Sequence, residues 1–81
     1  MLSKAQEAAL QAIRDCADQI FESCDDSVRS VGEIIKDHFG IEAGESIPDG
    51  PLKEAVVEFV DILIEYKYSR EAADLAKKYS I

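Results

Sequence analysis

The side chains with the most chemical capacity in this chain are its carboxylates. Asp and Glu total 17 against 9 Lys and Arg, a formal charge of -8. On a helical projection Asp15, Asp18 and Glu22 fall within about 60° of one another, and Glu54, Glu58, Asp61 and Glu65 do the same further along. Two such seams make a negatively charged surface, which speeds encounter with a basic protein. One form of that chemistry is imitation of nucleic acid toward a nucleic-acid-binding partner. Direct binding of nucleic acid is excluded, because contact with phosphates needs clustered Lys and Arg.

The other chemistries are poorly supplied. A di-iron helical site draws on Glu-x-x-His pairs that project inward. Here Glu33 and the single His38 stand five apart, and both seams lie opposite apolar arcs. No metal and no cofactor is expected. His38 falls on the apolar side of its segment beside Val31 and Ile34, which predicts a half-buried imidazole near a helix end. Cys16 and Cys24, if on one helix, are separated by about 12 Å along its axis. That exceeds the reach of a disulfide, so both read as free thiols. No nucleophile elbow, G-x-G-x-x-G or phosphate loop occurs, and the chain reads as a non-enzyme.

Four helices are expected to position these residues. Ser3 and Gln6 have capping-box spacing, and Ala9, Ile13, Ala17, Ile20 and Cys24, joined by Leu10 and Phe21, keep helical spacing. This predicts a first helix over about 3–24. Asp25 or Asp26 then caps a second helix over about 27–39, which Gly40 and Ile41 stop. A loop at 40–50 follows, pinned by Ile41 and Ile47. Pro51 suits the first position of a third helix over about 51–67, whose apolar arc spans roughly 220°. A short fourth helix over about 70–79 starts at Ser69 as its cap. Tyr66, Tyr68 and Tyr79 are expected to gather near that junction. The third helix is expected at the centre, and its wide arc predicts a homodimer that covers Val57, Ile64 or the alanine flank of the first helix.

Asp26-Ser27-Val28, a helix, then Ile47-Pro48-Asp49 and a last amphipathic helix resemble the second half of an acyl carrier protein. That resemblance implies phosphopantetheine on the serine of an Asp-Ser-Leu motif. The pattern departs where Cys24 and Asp25 replace the family's Gly-x and where a helix replaces the long preceding loop. Ser27 is therefore read as part of a helix start and is not carried over as a site. Residues 70–79 also resemble the first helix of a helix-turn-helix, but no recognition helix follows them.

Composition agrees with this reading. The 81 residues are 47% hydrophobic and 32% charged, as in a single folded domain spanning 1–81. No apolar run approaches the roughly 20 residues of a membrane span, and no leader pattern opens the chain. The expectation is an all-α, cytoplasmic, non-enzymatic protein-binding module: an adaptor, regulator or inhibitor, as small acidic helical proteins of bacterial viruses are. The alternatives are a carrier modified on a serine and a purely structural oligomerisation domain.

Overall fold

In the computed structural model residues 2–81 are described; Met1, counted in the expected domain, lies outside the described residues. Four helices follow in order: α1 (Lys4–Asp18), α2 (Cys24–Phe39), α3 (Pro51–Glu65) and α4 (Ser69–Lys78). No strand occurs among the described residues. The all-α class is as expected, while the ends of α1 and α3 and the starts of α2 and α4 differ from expectation.

The start of α1 is as the sequence predicts. Ser3 Oγ accepts from the Gln6 backbone N–H, and the Ser3 N–H donates to Gln6 Oε1, both at 3.1 Å. The end differs. α1 stops at Asp18, and residues 19–22 form tight turns in which Ile20 N–H donates to Ala17 O and Ser23 N–H to Gln19 O. Ile20, fully buried, anchors this turn. The N-cap of α2 is thus Ser23, and neither Asp25 nor Asp26 is the cap. Both acids sit inside the first helical turn, where the helix dipole favours them. The two cysteines therefore belong to different helices, and both are free.

Gly40 closes α2 in the left-handed conformation, and its N–H donates to Lys36 O at 3.0 Å. That stop is as expected, since a Cβ there would crowd the backbone. Pro51 opens α3, also as expected. α3 closes at Glu65 through Lys67 (φ 70), and the Tyr68 N–H reaches Leu63 O at 2.9 Å. Ser69 is consequently the first residue of α4 and not its cap; the N-cap is Tyr68.

Three seams hold the helices: α1 on α2, α1 on α3 and α3 on α4. α1 and α3 share the centre, because each packs on two neighbours. Gln6 Nε2 at the start of α1 donates to the His38 carbonyl at the end of α2, so these two run antiparallel. Arg14 meets Glu58, and beyond them Phe21 meets Tyr66. Contacts that advance together along both chains mean that α1 and α3 run in the same direction. Phe59, Ile13, Ile35, Leu63, Leu75, Val31 and Val56 fill the space between the seams. Each such burial contributes roughly 1.5–3 kcal/mol. Ile47 is buried and pins the 40–50 loop, with Ile41 partly buried against the core.

The apolar arc of α3 is mostly covered within one chain. Leu52, Ala55, Val56, Phe59, Val60 and Leu63 are buried, Val57 and Ile62 are half-buried, and Ile64 is 50% exposed. One chain therefore covers most of the arc from which a homodimer is expected. The Cα radius of gyration is 11.5 Å, against about 11.7 Å for a compact chain of this length. No described helix is long and apolar enough to cross a membrane.

Candidate functional site

The seven carboxylates singled out from the sequence are all exposed. The α1–α3 seam brings two of them together. A shallow groove between these helices is floored by Ile13, Ala17, Ala55 and Phe59, with Asp18 on one wall and Glu58 on the other. Arg14 crosses the groove, its Nε 3.9 Å from Glu58 Oε2. Glu54 and Glu58 also border a depression at the start of α3 with Asp49 and Lys53. Asp15 accepts from Gln11 Nε2 on the outer face of α1. Glu22 lies beyond the end of α1, in the turn, so the first seam is not a single helical face. Asp61 and Glu65 stay on α3, outside both depressions.

Three residues at this site escape a sequence reading. Arg14 stands among the acids and offsets part of their charge. Its signal is that, after Lys4, it is the one cation in α1. Phe21 keeps helical spacing and so reads as core, yet it is 79% exposed because α1 ends before it. Tyr66 is 48% exposed and meets Phe21 edge to face, with ring centroids 6.2 Å apart. The tyrosines therefore do not gather at the α3–α4 junction. Tyr66 turns to Phe21, while Tyr79 is buried at the far end of α4.

A concavity as large as the depression at the start of α3 lies elsewhere. α2 and α4 do not close a full seam, and a groove of about 650 Å³ runs between them along the 40–50 loop. Val28, Gly32, Ile41, Leu75 and Tyr79 line it, with acids and bases mixed along its rim. Burial pushes the Tyr79 hydroxyl above its ordinary range.

His38 is exposed, not half-buried, because it lies on the outer side of the last turn of α2. Among the described residues no three of His, Cys, Asp and Glu converge as metal ligands. Ser27 is buried, 4% exposed, on the inner side of α2. Asp26 beside it is engaged locally, accepting from Ser23 Oγ at 2.9 Å and pairing with Arg29. Burial raises the Cys16 thiol, with Asp15 adding to the effect. Burial likewise raises Cys24, with Glu71 and then Asp25 adding to it. Thiols raised in this way are weak nucleophiles at neutral pH.

Arrangements of this kind attract and orient cations. Compared with known protein families, curated proteins and solved structures, the chain shows no significant match to any of them.

Proposed function

We propose that the chain is a non-enzymatic protein-binding module whose α1–α3 face takes a basic partner. The observation that supports this is the pairing of Asp18 and Glu58 on opposite walls of one groove, with the other five carboxylates exposed on or beside the same two helices. Charge on the outer face of two packed helices is held in position by the core beneath it. It can therefore steer a partner and fix its register. An adaptor, a regulator or an inhibitor would all use it in this way, and imitation of nucleic acid is the inhibitory version.

The carrier alternative has little to support it, since modification of Ser27 needs an accessible hydroxyl and that residue is buried. A purely oligomeric role has little support either, because the apolar arc of α3 is mostly covered within one chain.

The test is capture of proteins from a native lysate on immobilised wild-type chain and on a variant with Asp15, Asp18, Glu22, Glu54, Glu58, Asp61 and Glu65 changed to their amides. Wild type is expected to retain basic proteins that the variant does not, with release by added duplex DNA where imitation of nucleic acid is at work. An identical retained set on both overturns the reading. Circular dichroism of the variant checks that it is folded.

A further inference from the structure

Phe21 and Tyr66 form an aromatic corner for which the fold itself gives no reason. The turn after α1 is anchored by its neighbour Ile20, which is fully buried, and Phe21 is the most exposed large hydrophobic residue among those described. An edge-to-face pair (interplanar angle 65°) leaves much of the ring surface open, and here 79% of Phe21 faces solvent. A single exposed apolar residue needs no explanation, whereas an exposed aromatic pair beside three acids does.

Acidic side chains crowd this corner. α1 and α3 both end here, while α2 starts at Cys24 and α4 at Ser69, so the helix dipoles offset one another and the side chains set the local charge. Neither α1 nor α3 carries a basic residue in its last turn, whereas α2 ends with Lys36 and His38 and α4 with Lys77 and Lys78. Glu22 follows Phe21 in sequence, Glu65 precedes Tyr66, and Asp18 closes α1. The cation nearest in sequence is Lys67, which forms the left-handed turn after Tyr66, and no ion pair ties it to any of these acids. Open aromatic rings within a negative field are a setting for a cation that is also flat.

Resting on the protein-binding reading above, we propose that this corner is the anchor of the acidic face and takes an arginine side chain of the basic partner. The guanidinium lies against the Phe21 and Tyr66 rings and pairs with a carboxylate of Asp18, Glu22 or Glu65. Arginine fits better than lysine because its planar fork stacks and pairs at once, while an ammonium supplies only charge. Aromatic residues and arginine are also the usual hot-spot partners in protein interfaces.

The test is a nuclear magnetic resonance titration of the ¹⁵N-labelled chain with two peptides of equal charge, hexa-arginine and hexa-lysine. The expected result is amide shifts confined to residues 18–23 and 62–67, with hexa-arginine binding about three- to tenfold more tightly. Phe21→Ala, at an exposed position, is expected to keep the fold and the hexa-lysine affinity while removing the arginine preference. Equal binding of both peptides with shifts spread over α1 and α3 overturns the corner and leaves the acidic-face reading standing. Absence of binding by either peptide at low salt overturns both. Shifts at the corner that grow with protein concentration in the absence of peptide overturn the proposal by showing that a second copy occupies it.

Discussion

At the scale of single residues, one position trades stability against local geometry. Gly32 stands in the interior of α2, where glycine costs roughly 0.5–1 kcal/mol relative to alanine. An added Cβ would lie 3.7 Å from the Tyr79 hydroxyl, an ordinary contact. Gly32→Ala is therefore expected to stabilise the fold by about 0.5–1 kcal/mol in urea titrations. The thiols give a second expectation. A helix N-terminus alone lowers a thiol pKa, yet at Cys24 burial, Glu71 and Asp25 outweigh that effect and raise it. Cys16 is raised as well. The folded state thus holds both thiols protonated at pH values where the unfolded chain has begun to ionise, above roughly 8.5. Stability is present in full below that pH and is lost as pH rises through the folded values. Disulfide-exchange reagents at pH 8 are expected to react more slowly with native than with urea-unfolded protein. Equal rates would remove the burial argument.

At the scale of elements, boundaries marked by a signal that names a backbone partner were readable, and those judged from periodicity alone were not. Ser3 with Gln6, Gly40 with Ile41, and Pro51 each satisfy or remove a backbone group, and each marks a boundary in the structure. Ser3→Ala is expected to cost about 1 kcal/mol in thermal or urea unfolding, the usual worth of an N-cap side chain. The break between α1 and α2 was misplaced because Ile20 and Cys24 continue the spacing of Ile13 and Ala17, and residues 19–23 contain neither Gly nor Pro. Ser23 precedes Asp26 by the same three residues that separate Ser3 from Gln6, but its hydroxyl donates to the Asp26 carboxylate and caps no backbone N–H. At the other misplaced boundary a lysine occupies the left-handed position where a sequence reading looks for glycine. That misplacement decided what was legible in the candidate site. The carboxylates were found because charge opposite an apolar arc is visible in any projection, while Phe21 was hidden by a helix assumed to continue past Asp18.

At the scale of the whole molecule, charge is largely uncompensated. Four ion pairs occur among the described residues, all between exposed groups except the half-buried Lys53, and such pairs contribute little. With a formal charge of -8, repulsion among like charges outweighs them. Added sodium chloride is expected to raise the melting temperature by a few degrees, since screening weakens repulsion more than attraction. A fall in that temperature would mean that the ion pairs carry the fold. Light scattering at micromolar concentration is expected to give the mass of one chain, 9.0 kDa, because α3 is already sheltered. The open side between α2 and α4 has a consequence for motion. α4 rests on α3, and its other ties lie at its end, where Tyr79 nears Gly32 and the Gly44 N–H donates to Lys78 O at 2.7 Å. Undoing that latch lets the final helix swing away while the other three stay assembled. Its amide protons should therefore trade with deuterium sooner than those in the middle of α1.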